Sequence, residues 1–245
     1  MSLYYVYCVG DDIADEAIAG AAGLGGSPVR LFPRAGLAAV VSAFENEPAP
    51  VTREHVLAHN RVNSQVLARA TPLPFRFGTL AAEERLASYI DARAAALRET
   101  LDAVRGCVEM TVKVMWGEAG PEGGAAARGE AGAGGTAPPG GGTAFLLAKR
   151  RALLGGEDLR RRADELAAWL DARASALARA SDVRVRPSES LVVRAAHLVE
   201  RGRVAEYRER MRALRAERSD LRFLTSGPWP PYSFTTLSEE LRIKN

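Results

Sequence analysis

The sequence predicts an α+β protein of two similarly built domains, and three observations carry that prediction. Strand-like and helix-like patterns alternate as β-α-β-β-α-α-β over residues 1–116. A second series, β-α-β-β-α-β, runs over 143–245. Between them, residues 117–142 hold 11 glycines and no large apolar side chain, too little apolar surface to offset the entropy of ordering. That stretch reads as a Gly/Ala-rich flexible linker or loop. Strands joined by tight turns give antiparallel sheets, and the βαββαβ order is that of the split, ferredoxin-like arrangement or a variant of it. Each sheet is expected to carry helices on one face and to leave the other for a partner or the sister domain.

In the first half, residues 3–9 (LYYVYCV) are β-branched and aromatic and read as a strand. Residues 11–20 have a short helical pattern, with Asp11 and Asp12 as candidate caps. Residues 29–32 and 36–44 read as strands around a Pro33-Arg34-Ala35-Gly36 turn. Thr52 caps a helix over roughly 53–70, and a second helix over 80–104 carries Leu86, Ile90, Leu97, Leu101 and Val104 on one stripe. Val108, Met110, Val112, Val114 and Trp116 then alternate with Glu109, Thr111 and Lys113, the pattern of a half-buried strand.

In the second half, residues 143–149 read as a strand, with a helix continuing to Leu154 as the alternative. Residues 158–180 are helical, with Leu159, Leu166, Trp169, Leu170 and Leu177 inward. Strands follow at 182–186 and 191–199 around Pro187-Ser188, then a helix over 203–218 and a last strand over 221–224.

The 47% apolar fraction excludes general disorder, and no run approaches the roughly 20 apolar residues of a membrane span. No basic, signal-like segment precedes the first strand, and two cysteines, Cys8 and Cys107, make no disulfide framework, so a reduced, cytoplasmic protein is expected. The two thiols fall on the first and last strands of the first half, which neighbour each other in a ferredoxin-like sheet; with no activating His or Lys nearby they read as structural. Basic charge gathers in the second half, where 21 basic face 14 acidic residues, suiting an acidic partner. Seven arginines between Arg201 and Arg218 are interleaved with glutamates, a solvated face; no aromatics for base stacking accompany them, which argues against a nucleic-acid stripe.

Two proline-aromatic segments stand out. Gly227-Pro228-Trp229-Pro230-Pro231-Tyr232-Ser233-Phe234 is expected to be a stiff, polyproline-like strap presenting Trp229, Tyr232 and Phe234 in a fixed arrangement. Leu73-Pro74-Phe75-Arg76-Phe77-Gly78-Thr79 reads as an extended connector or edge strand, with Thr79 as a cap for the following helix. In each, the rings either pack inward or form a recognition edge, Arg76 acting as an anchor in the latter case. His55 and His59 share a helical face and His197 stands alone on a strand; none has the further ligands a metal needs, and packing is the better reading. Gly23-Leu24-Gly25-Gly26-Ser27 lacks the Lys-Ser/Thr of a phosphate loop and reads as a turn. No nucleophile with its base, carboxylate pair or closed metal site is evident, so no catalytic residue, metal or cofactor is expected.

The two proline-aromatic motifs, the Tyr-rich opening strand, Glu54-His55-Val56-Leu57-Ala58-His59-Asn60 and Ala195-Ala196-His197-Leu198-Val199, in this order, resemble the gas vesicle protein F/L family. The chain departs from the family pattern at His197, where an aromatic is expected. The resemblance implies a non-enzymatic accessory factor for building gas-filled, protein-walled organelles. Its partners would be the hydrophobic major shell protein and other accessory proteins. Contacts are expected at Trp229, Tyr232, Phe234, Phe75, Arg76 and Phe77. Two readings from other classes stay open: a cofactor-binding enzyme of ferredoxin-like fold, and an RNA-binding module using its sheet.

Overall fold

The computed structural model describes residues 3–44, 51–116, 141–185, 191–235 and 237; the segment 117–140 and the Pro187-Ser188 turn lie outside them. The chain divides into two compact units interleaved in sequence. The first comprises Met1–Met110, Leu198–Val204 and Gly227–Asn245, and the second Thr111–His197 and Ala205–Ser226.

The first sheet is built from β1 (Leu3–Gly10), β2 (Val29–Arg34), β3 (Leu37–Ala43), β4 (Leu73–Pro74) and β5 (Leu80–Ala82), with order β2-β3-β1-β4 and β5 also on β1. β4 and β5 share one edge of β1, Leu80 pairing with Tyr5 and Leu73 with Val9. The β2–β3 turn places Ala35 and Gly36 at φ 51° and 70°, the positive values that two-residue hairpin turns need to match strand twist. Helices α1 (Asp15–Ile18), α2 (Arg53–Leu67) and α3 (Glu83–Val104) complete this unit.

The side chains of β1 feed two cores. Tyr4, Val6 and Val9 pack with Leu86, Ile90, Leu97 and Leu101 of α3. Tyr5, Tyr7 and Cys8 pack with Ile18 of α1 and Ala58, Val62 and Val66 of α2. Tyr7 and Cys8 fall on the same side because the β1–β3 register slips between Val6 and Cys8, a bulge that reverses the alternation. Helices therefore cover both faces of the first sheet, correcting the expectation of one free face.

The second sheet is also antiparallel. It joins β6 (Cys107–Trp116), β7 (Ala180–Val185), β8 (Leu191–Glu200) and β9 (Leu221–Trp229) in the order β7-β8-β6-β9. Its helices are α4 (Gly141–Ala174) and α5 (Val204–Glu217). Leu166, Leu170 and Ala174 of α4 and Tyr207, Met211 and Leu214 of α5 are buried. Residues 143–149 belong to α4, as the helical alternative had it: nothing between Thr143 and Leu154 breaks a helix, and β6 supplies the first strand of this sheet. Cys8 and Cys107 consequently sit on different sheets and are not neighbours; across from Cys8 stand Val40 and Pro74. Both thiols are fully buried, and burial pushes the Cys8 thiol up, away from the reactive thiolate.

Two expected caps act elsewhere. The Asp12 carboxylate accepts the Thr71 N–H at 3.1 Å, and α1 starts after Ala14. The Thr79 hydroxyl donates to the Arg76 carbonyl at 2.8 Å, closing its own turn, and α3 starts after Ala82. Thr52 does cap α2, accepting the His55 N–H at 3.1 Å.

At the other end of α2, the Arg201 guanidinium donates to the Leu67 carbonyl and, at 2.7 Å, to the Ala70 carbonyl. It serves carbonyls that the helix terminus leaves without partners and meets the negative end of the helix dipole. Arg201→Ala is expected to lower stability by about 1–3 kcal/mol in urea titrations. Arg201→Lys should restore only part of it, because a single ammonium does not reproduce the planar fork.

Candidate functional site

The strap begins inside β9, an edge strand, where prolines are tolerated because no ladder partner is lost. Gly227-Pro228-Trp229 form its last residues, so this part is strand rather than a free polyproline segment. Pro230 and Pro231 are buried, and residues 232–234 make a turn. That turn is closed by Tyr232 N–H to the Pro230 carbonyl (2.7 Å) and Phe234 N–H to the Pro231 carbonyl (3.1 Å).

Two polar anchors hold the turn. Ser233 donates its N–H (2.7 Å) and its hydroxyl (2.9 Å) to the two oxygens of Glu109, a carboxylate only 3% exposed. The Tyr232 hydroxyl accepts from the Asn63 amide at 2.9 Å. The same amide lies 3.0 Å from His59 Nε2, and His59 Nδ1 lies 2.9 Å from the Tyr5 hydroxyl. With Asn63 donating, Nε2 accepts and Nδ1–H donates to Tyr5, which also accepts the Gly78 N–H at 3.0 Å. Burial pulls His59 down to about 4 and pushes the Tyr5 and Tyr232 hydroxyls up, so the chain of bonds is neutral near pH 7. Asn63 Oδ1 is buried and finds no partner among the described residues.

The second proline-aromatic segment reaches the same place. β4 ends at Pro74; Phe75 donates its N–H to the Tyr7 carbonyl at 2.8 Å, is buried, and turns its ring toward Tyr89. Arg76 is exposed. Phe77 is half-buried and sets its ring edge-on to both Tyr5 (6.1 Å) and His59 (5.8 Å). His59 thus has Phe77 on one side, Tyr232 at 6.3 Å and Tyr7 stacked at 5.8 Å.

Of the six residues expected to contact a partner, Trp229 (38% exposed) and Arg76 reach the surface. Tyr232, Phe234 and Phe77 are half-buried, Phe234 packing on the α3-side core, and Phe75 is internal. Two residues of this cluster carried no functional signal in the sequence. Glu109 occupies a polar position of an alternating strand, which read as solvent-facing. Asn63 lies four residues after His59; that spacing, applied to His55 and His59, marks one helical face, and the pair that matters is the next one along. Among the described residues no group of three or more His, Cys, Asp or Glu could hold a metal, and no helix is long and apolar enough to cross a membrane.

Fold and site define a class: an α+β scaffold of two antiparallel sheets carrying helices, with a proline-aromatic strap clamped on its first unit. Two crystal structures share that fold. GvpF from Anabaena sp. PCC7120 superposes with a TM-score of 0.76 at 18% identity, covering 98% of each chain. GvpF from Microcystis aeruginosa gives 0.71 at 19% identity, covering 95% of this chain and 98% of that one. Gas vesicle protein L of Streptomyces sp. (strain CB03234) is 30% identical over 262 residues, 97% of this chain and 94% of that protein. The model of the family "Gas vesicle synthesis protein GvpL/GvpF" matches residues 3–236, and the chain belongs to that family.

Proposed function

We propose that this chain is a non-enzymatic assembly factor of gas vesicles, acting in the cytoplasm on the hydrophobic major shell protein alongside other accessory proteins, and assisting shell nucleation or growth. A shell subunit with a large apolar face aggregates unless that face is covered until its lattice neighbours arrive. The observation that carries the reading is the convergence of both proline-aromatic segments on the His59–Asn63 face of α2. Tyr232, Phe234, Phe75 and Phe77 brace this platform, and Trp229 and Arg76 are its outward contacts. An exposed tryptophan on a braced strand end loses little freedom on binding, the property of an interface anchor. We also read both sheets as ferredoxin-like. Supporting this, β1-α1-β2-β3-α2-β4 and β6-α4-β7-β8-α5-β9 follow the same element order, with the strands arranged second, third, first, fourth in each.

Trp229→Ala, alone and with Arg76→Ala, tests the site by co-purification with the shell protein. Loss of an anchor of this kind is expected to weaken capture by about 2 kcal/mol, roughly 30-fold. Undiminished capture by a folded double variant would sink the assignment of these two residues.

A further inference from the structure

We propose that the turn at residues 232–234 is a releasable latch, which opens on its own while the rest of the first unit stays folded. A terminal segment sealed for good is expected to sit on apolar side chains. At its two central residues this one is fastened by polar groups: Ser233 on the Glu109 carboxylate, and the Tyr232 hydroxyl on the Asn63 amide. Water replaces such bonds at small net cost, whereas apolar contacts have no substitute in water.

Closing the latch also leaves something undone. Asn63 is fully buried, and its Oδ1 has no partner among the described residues, although its amide nitrogen serves both His59 and Tyr232. An unpartnered buried carbonyl is unfavourable, and opening beside it admits water to that oxygen. Phe234 and, just beyond the turn, Leu237 are the apolar counterweight, both packed on the α3-side core but only half-buried.

The geometry suits a reversible motion. The two hydrogen bonds inside the turn, to the Pro230 and Pro231 carbonyls, lie within the moving piece and survive release. The prolines keep the freed segment short of conformations, so reclosing needs little reordering. Upstream, Gly227 is wedged against the backbone of Glu109 and Met110 and gives the motion a fixed origin. Opening turns Tyr232 and Phe234 outward and uncovers Asn63 with the edge of the His59–Phe77 cluster. The latch extends the shell-binding reading only in its consequence, since two more rings join Trp229. Its motion is measured with no partner present, so the two ideas fail separately.

Residue-resolved hydrogen exchange on the full chain, expressed as protection factors, decides it. The Ser233 N–H is bonded to a buried carboxylate, so without opening it exchanges as slowly as the core amides of Val6 and Phe75. We expect it to exchange about 100-fold faster than these two, as a sub-global opening does. Ser233→Ala, which removes only the hydroxyl bond and keeps the backbone N–H on Glu109, is expected to speed the amide at position 233 about tenfold with Val6 and Phe75 unchanged. Glu109→Gln is a second variant, and it should act in the same direction. Ser233 protection equal to that of Phe75 overturns the latch. So does a Ser233→Ala variant that accelerates all these amides together or leaves the strap rate unaltered.

Discussion

Acidification from pH 7.5 to pH 4 should remove about 3 kcal/mol of stability for each of two buried histidines, one per unit, with roughly two-thirds of it lost by pH 5, above the range where carboxylates titrate. His59 is 2% exposed beneath Tyr232, and His197 is fully buried with its Nδ1 2.6 Å from the Tyr207 hydroxyl. Burial lowers both from 6.5 to about 4, opposed weakly by a backbone contact from Phe75 at His59 and by the charge of Asp171 at His197. A folded-state value below the unfolded one means that the unfolded chain binds more protons. Stability is therefore complete above pH 6.5 and is lost progressively as pH falls toward 4. Carboxylates held low by arginine partners, namely Asp11, Asp91 and Asp220, lose their contribution from about pH 5 downward and so overlap only the foot of that window. Urea titrations should show stability falling by up to roughly 2–3 kcal/mol per pH unit near pH 5 if both units unfold together. If they unfold separately, each transition carries about half that slope. His197→Phe supplies the control. It replaces the imidazole by a ring that takes up no proton, and lowers baseline stability by leaving the Tyr207 hydroxyl unpartnered. It should also remove the acid dependence of the second unit alone. An unchanged slope in that variant would show that His197 is not the titrating group.

The strands and the two antiparallel sheets were legible, but the sheet that β6 joins was not, because pairing is decided by residues far apart. Leu3-Tyr4-Tyr5-Val6-Tyr7-Cys8-Val9 announces a strand, but the expectation of one open face overlooked its lack of polar alternation, which fits the burial on both faces seen in the two cores. The bulge at Tyr7 has no sequence signature. β6 illustrates the harder case. Its alternating pattern was correct as far as strand type, but Glu109 and Thr111 on its polar side are only 3% and 6% exposed. Glu109 is internal because Ser233, 124 residues later, supplies its hydrogen bonds. No window of local sequence holds that information. The proline-aromatic segments were visible as unusual because proline restricts backbone geometry wherever it occurs. Their meeting at His59 depends on α2, whose Asn63 reads locally as one more polar position on a helix.

Gly227→Ala should be the most damaging small substitution in the strap, lowering stability by roughly 2–5 kcal/mol through backbone strain and overpacking together. Gly227 sits at φ 118°, in a region where a Cβ is strained whatever the available space. Space is also lacking. A Cβ there would lie 2.7 Å from the Glu109 carbonyl oxygen, 2.9 Å from Met110 Sδ and 3.3 Å from Met110 Cα. The methionine side chain can move aside, but the carbonyl belongs to β6 and cannot yield without disturbing the sheet. The strand end must then shift away from Glu109, and Ser233 and Tyr232 lose their seats with it. This separates Gly227→Ala from the strap substitutions Trp229→Ala and Ser233→Ala. Those alter a surface ring or one hydroxyl bond and are expected to leave the melting transition within a few degrees of the parent, as changes of about 1 kcal/mol do. Gly78, with φ 84° and no atom within 4 Å of a built Cβ, isolates the conformational part. Gly78→Ala should cost about 1 kcal/mol, the strain of a positive φ alone. Equal melting temperatures for the Gly227 and Gly78 variants would show that the close approach to β6 contributes nothing.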